Sequence, residues 1–347
     1  MFITLMLVIG YIGFTIYAAN MVHLKSLTKN HDFDPDYEKQ KQTVRLLLFG
    51  GVSLTGLCGV FVVLSAAAAN DPNLAQENLP NINTWEILFG VGTAVICGVA
   101  SYAVVVSHDT RQALHQRIRT FDPQSLVHIT AVVLSLLVLT AQIAQFVAIG
   151  GVDGLAESYA EFGIRATDLL FELFLRTAAA FLGVGYAIRR DLFESLHRLG
   201  LRYPTPDDVR YGLFVGFGFF GIAIVYGVLI NILTAIFPVL DELNAANDNL
   251  VLSVTTIPMA ILLAASAAIG EEILFRGALQ PVFGNWLTSL FFVLLHTQIL
   301  LTPGIVLLFF VSYGLGWVRQ EQSTTAAIIA HFVYNFAQLL IVVLLIG

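Results

Sequence analysis

Residues 269 to 277 read Ile269-Gly270-Glu271-Glu272-Ile273-Leu274-Phe275-Arg276-Gly277, two acids and an arginine set into a long apolar stretch. Ionised groups at membrane depth are expensive, so such a patch marks a functional site first and a structural accident second. On a helix Glu272 and Arg276 stand four apart with the acid first, the favourable order for a same-face pair. Glu271 is turned about 100° away from Glu272, so it has no partner in its own helix and faces another part of the bundle.

The chain around this patch is lipid-soluble. Of its 347 residues 57% are hydrophobic and 12% charged, and the mean hydropathy is +0.80; soluble domains carry about 25% charge. The composition predicts an all-α fold, a polytopic transmembrane helical bundle set in a lipid bilayer. Apolar runs at roughly 2 to 20, 46 to 69, 85 to 107, 126 to 150, 169 to 188, 211 to 237, 250 to 280, 286 to 301, 303 to 318 and 324 to 346 are long enough to cross, about ten helices. No basic face is interleaved with aromatics, which argues against a nucleic-acid partner. Cys58 and Cys97 both lie inside apolar runs and read as small packing residues.

Lysine and arginine alternate from loop to loop. Lys25, Lys29, Lys39, Lys41 and Arg45 follow the first run, Arg111, Arg117 and Arg119 the third, and Arg189, Arg190, Arg198, Arg202 and Arg210 the fifth. The intervening loops hold Arg165 and no other basic residue. The positive-inside rule makes the basic loops cytoplasmic and both termini external. The first run lacks a basic n-region and reads as an anchor rather than a signal peptide.

The longest basic linker contains Tyr203-Pro204-Thr205-Pro206 and is the best internal boundary. It separates a five-helix region, 1 to 205, of no assigned role from a compact half, 206 to 347. In the first region Asp168, Glu172 and Arg176 recur every four residues, a spacing that reads as an ion-pair stripe buried between helices, or else as a transport or proton-relay path. His23, His31, His108, His115, His128 and His197 sit in or beside loops and read as solvated. Gly212 and Gly216 make a small-xxx-small pair suited to close helix packing.

The second half holds every other polar cluster. Counting about 1.5 Å per residue from the cytoplasmic ends puts Glu271 at about 12 Å depth, His296 at about 15 Å, His331 at about 10 Å and Asn335 at about 16 Å. All four fall in one layer, and His331 and Asn335, four apart, share a helix face. A carboxylate and a histidine meeting there can hold a water molecule and take its proton. A second histidine and an amide can donate to the oxyanion formed when that water attacks a peptide carbonyl. Such chemistry needs a wet cavity, expected to open to the cytoplasm.

Glu271-Glu272-xxx-Arg276, Phe292-xxx-His296 and His331-xxx-Asn335, in that order, resemble the three signature motifs of the CPBP family, the CAAX proteases and bacteriocin-processing enzymes also called the Abi family. The approach Tyr313-Gly314-Leu315-Gly316-Trp317-Val318-Arg319 is similar to that family as well. The resemblance covers about residues 211 to 347. It implies an intramembrane endopeptidase of the type II CAAX prenyl protease kind, acting on a membrane-associated peptide or protein near the cytoplasmic side. It further implies that Glu271 is the base acting with His296, that His331 and Asn335 are oxyanion donors, and that Glu272, Arg276 and Phe292 support them. The alternative is a non-catalytic Abi-like immunity or scaffold protein. The expected setting is the plasma membrane of a prokaryote.

One glutamate and two histidines are also the ligand count of a hydrolytic zinc site, which makes zinc held by Glu271, His296 and His331 the alternative cofactor reading. Against it stand the missing HExxH and an asparagine beside the second histidine that suits an oxyanion. The favoured reading has no cofactor.

Overall fold

The computed structural model describes residues 2–27, 35–71, 80 and 82–346. Lys29, His31 and most of the 71 to 84 loop lie outside them. Helices α1 (Phe2–Ser26), α2 (Pro35–Ala69), α3 (Thr84–Val106), α4 (His108–Arg117) and α5 (Leu126–Ala148) come first. They are followed by α6 (Gly151–Phe162), α7 (Ala166–Val184), α8 (Leu192–Leu199), α9 (Pro206–Ile236) and α10 (Val239–Leu252). The chain closes with α11 (Ile257–Glu271), α12 (Gln280–Leu294), α13 (Gly304–Glu321) and α14 (Thr324–Ile346). A π-helical stretch, Glu272–Leu279, joins α11 to α12, and a 3-10 turn, Thr297–Ile299, follows α12.

The fold is an all-α polytopic membrane bundle. Among the described residues seven helices, not ten, are long and apolar enough to cross a membrane. The difference has local causes. The runs at 250 to 280 and 286 to 301 lie on one rod, Ile257–Leu294, of 38 residues, which kinks at Gly284 (φ 72°, ψ 169°) and so still forms two helical segments. Helix α7 is interrupted by Asp168, Glu172 and Arg176, and α13 has 18 residues ending in Arg319, Gln320 and Glu321, so both fall short.

The chain forms two compact units. One comprises Met1–Ala148, Phe181–Ser195 and Val282–Gly284; the other comprises Ile149–Ala180, Leu196–Pro281 and Asn285–Gly347. Helix α6 packs along α10, which carries the 149 to 180 segment into the second unit.

In the first unit α1, α2, α3 and α5 pack on one another. Gly51 lets them close, since a Cβ there would stand 2.9 Å from Val133 Cγ1 and 3.0 Å from the Tyr11 hydroxyl. Cys97 is buried and Cys58 partly so, both as free thiols. Two of the loop histidines are more than solvated: His115 Nδ1 lies 2.7 Å from the Phe121 carbonyl, and His128 Nδ1 accepts from the Asp122 N–H at 2.9 Å. Together they fold the turn ahead of α5.

In the second unit α9 lies along α14. Gly212 and Gly216 are the contact points, where a Cβ would stand 2.8 Å from Ile329 and 2.7 Å from the Ala330 carbonyl. Helix α9 starts from a capping box of Thr205 and Asp208 with Pro206 in its first turn. Asp208, fully buried, also accepts from Arg202 at 2.7 Å and from the Ser323 hydroxyl at 2.6 Å, which fastens the start of α9 to the start of α14.

Candidate active site

The rod that carries the acidic patch changes its winding there. From Glu272 the ladder becomes π-helical for eight residues, and such inserts are frequent at functional sites because they re-aim the side chains that follow. Glu271, on the α-helical side of the change, faces a cavity. Glu272 and Arg276, on the π side, turn into the protein and are completely buried.

These two residues form the expected pair, with Arg276 Nε donating to Glu272 Oε2 at 3.1 Å. Arg276 Nη2 donates to Ser312 Oγ on α13 at 2.8 Å. The other oxygen of Glu272, Oε1, lies 2.9 Å from Nδ1 of His331 on α14. One carboxylate thus joins the rod to α14 directly and to α13 through the arginine. A buried ion pair holds its geometry best when its remaining valences are filled. Here both Glu272 oxygens and Nε and Nη2 of Arg276 are filled, while Arg276 Nη1 has no hydrogen-bond partner among the described residues.

Phe292, 1% exposed, packs at the centre of this network. The Arg276 guanidinium lies 5.3 Å over its ring. The ring centroids of His296 and His331 lie 4.4 and 6.3 Å from it. Its carbonyl is 2.7 Å from His296 Nδ1. A carbonyl can only accept, so Nδ1 carries the proton, and Nε2 of neutral His296 keeps its lone pair. His296 sits where α12 has ended and the 3-10 turn begins, which frees the ring from the helix surface.

Glu271, His296, His331 and Asn335 all line one cavity of about 560 Å³ within the second unit. Among the described residues no protein group is hydrogen-bonded to the Asn335 amide. The cavity runs from this layer along the C-terminal half of α9 to α10, where Asn231, Asp241, Asn244 and Asp248 line it. The basic ends of α9 and α13, at Arg210 and Arg319, do not line it, so its extent differs from the expected opening toward the cytoplasmic loops. Counting spans from composition locates polar residues in depth but does not reveal which helix ends stand apart. Burial pushes the Asp248 carboxyl above the usual carboxylate value; a hydrogen bond with the Asn247 side chain opposes the shift and the Asp241 charge adds to it.

Glu271 does have a charged partner, outside the rod. Arg176 Nη1 of α7 lies 3.5 Å from Glu271 Oε1, while Nη2 of the same guanidinium donates to Glu172 Oε2 at 2.7 Å. The stripe expected to be buried is half open: the Glu172 side chain is 52% exposed and that of Arg176 31%, against 10% for Glu271. Asp168 is occupied separately, by Arg165 at 3.0 Å.

Residues 253–337 match the family model described as type II CAAX prenyl endopeptidase Rce1-like. The match is consistent with the CPBP family and spans all three motifs, from Glu271 to Asn335. Neither a curated protein nor a solved structure matches the chain. The Rce1-like segment ends well short of α7, so Arg176 and Glu172 lie outside it.

The family has also been read as zinc-dependent, so the fit of the donor set matters. Among the described residues no group of three or more His, Cys, Asp or Glu side chains is placed to hold a metal ion. Glu271 faces Arg176, and Nδ1 of His331 is taken by Glu272. The residues as arranged do not fit a zinc site.

Sequence reasoning missed Ser312, Arg176 and the central place of Phe292. The regular spacing of Asp168, Glu172 and Arg176 was in view, but no local pattern connects Arg176 to a carboxylate 95 positions later.

Proposed function

We propose that the second unit is an intramembrane endopeptidase that hydrolyses a peptide bond of a membrane-associated substrate with a water activated by Glu271 and His296. The observation that carries this reading is the meeting of Glu271, His296, His331 and Asn335, all within the Rce1-like segment, on a single cavity.

Glu271 takes a proton from the water, which His296 Nε2 helps to hold by accepting its other hydrogen. The water oxygen bonds to the carbonyl carbon, and the electron pair moves onto the carbonyl oxygen. The Asn335 amide N–H donates to that oxyanion, and so does His331 Nε2 when both ring nitrogens carry hydrogen. Glu272 accepts from His331 Nδ1 and so fixes the orientation of the ring. On collapse the C–N bond breaks and the leaving nitrogen takes the proton from Glu271. The products are a carboxylic acid and an amine, and Glu271 is again a carboxylate. Every step uses groups of this chain, so no metal ion is invoked.

The side of approach follows from the cavity. Its far wall is α10, on the side that loop charges assign to the exterior, so the substrate enters along α9 and α10 rather than past the basic loops. Asp241 and Asp248 with no lysine or arginine in the lining favour a polar or cationic peptide segment there.

The test compares the membrane proteomes of cells carrying the intact protein and Glu271→Gln. Uncleaved membrane peptides should accumulate with the variant. The same comparison under exhaustive chelation should show cleavage persisting; loss of cleavage restored by zinc alone would overturn the metal-free step.

A further inference from the structure

We propose that Arg176 is a positioning residue for Glu271, holding that side chain as a carboxylate aimed into the cavity while Glu172 fixes the guanidinium from the other side. The inference rests on the endopeptidase reading only for what Glu271 does afterwards; the ionic relation itself stands on geometry.

Three features support it. First, the guanidinium is divided: Nη2 is committed to Glu172 at 2.7 Å, a charge-assisted hydrogen bond, and Nη1 is thereby presented to Glu271 at 3.5 Å. A planar fork held at one edge has little freedom left at the other. The longer distance makes the second contact ionic without a full hydrogen bond, so it orients the side chain while leaving the lone pairs of Glu271 for water. Secondly, α7 can come this close because position 270 is glycine. A Cβ there would stand 3.3 Å from Arg176 Cδ and 3.4 Å from Leu173 Cδ1. Thirdly, the exposures fall from Glu172 through Arg176 to Glu271, 52%, 31% and 10%, so the pair lies at the surface beside Glu271 instead of in packed core, and of the three only Glu271 lines the cavity.

A helix-surface pair is the plainer account of Glu172 and Arg176, whose spacing alone allows it. It leaves the contact across to Glu271 unexplained. With that contact, a helix outside the Rce1-like segment becomes part of the working site.

Dicyclohexylcarbodiimide tests this without a substrate, because it reacts with protonated carboxyls in apolar surroundings and leaves an acylurea that peptide mass spectrometry can locate. The full-length protein in liposomes should be labelled slowly at Glu271. Removing the guanidinium leaves the Glu271 carboxyl without its ionic contact, so Arg176→Gln should be labelled at Glu271 about tenfold faster or more. Glu172→Gln keeps the Arg176 charge but releases the guanidinium, and should accelerate labelling less than Arg176→Gln does. Equal rates for Arg176→Gln and the intact protein, or equal acceleration by Glu172→Gln, would overturn the proposal. Should Arg176→Gln fail to fold, Arg176→Lys serves: its single ammonium cannot bridge both carboxylates, and an intact-protein rate would count against the inference. A labelling pattern as expected, together with an unchanged membrane proteome in Glu271→Gln cells, would reject the peptidase reading and leave the Arg176 relation in place.

Discussion

Glu272 and His331, 59 positions apart, meet at 2.9 Å through Oε1 and Nδ1, and the same carboxylate holds Arg276 through Oε2 at 3.1 Å. The second glutamate of the motif is therefore the joint of the site, while the first lines the cavity. Glu272→Gln strands a fully buried arginine. Removing one partner of a buried pair costs about 3–5 kcal/mol, so thermal unfolding in detergent should show a large loss of stability. A variant as stable as the intact protein would mean that Ser312 and the Phe292 ring hold Arg276 unaided.

The ring of His331 is bonded at Nδ1, so only Nε2 is available to a substrate. Its role there is to donate. His331→Gln keeps an amide donor and should lose less than His331→Leu, whose rate should drop about 10²–10³-fold, the usual effect of deleting an oxyanion donor. Equal losses in single-turnover cleavage would remove His331 from that role.

His296 stands past the end of α12 and its Nδ1 is tied to a backbone carbonyl, so its removal leaves the helix intact. His296→Ala should retain the secondary structure seen by circular dichroism and lose about 10²–10⁴-fold in cleavage rate, the range of a lost general acid or base.

Gly227 of α9 lines the cavity, and a Cβ there would meet nothing within 4 Å. Gly227→Leu should fold normally and yet fill the substrate path, raising KM more than it lowers kcat. Gly316→Ala should behave in the opposite way. A Cβ at 316 would stand 1.8 Å from Asn285 Oδ1 and 2.9 Å from Gln280 Oε1. Overpacking of this kind costs about 1–3 kcal/mol or more, to be read as a lower yield of folded protein.

Much of the site was legible because charge is conspicuous in lipid-soluble sequence. Glu271, Glu272, Arg276, His296, His331 and Asn335 could be named, and a depth count could put four of them in one layer. The bundle was legible for the same reason, although α7 and α13 are too polar or short to count as spans and the stretch from α11 to α12 is divided only by the kink at Gly284. What could not be read was tertiary. Periodicity describes one helix at a time, so it gave Glu272 a partner within its own turn but not His331, and gave Arg176 to Glu172 but not to Glu271. The reach of the cavity toward α10 depends on which helix ends stand apart, and hydropathy has no record of that.

The most direct measurement is the set of new peptide termini in membranes of cells that express either the intact protein or Glu271→Gln at equal levels. The account predicts cleavage products present with the first and absent with the second, their uncut parents accumulating. Identical sets of termini from the two would contradict it.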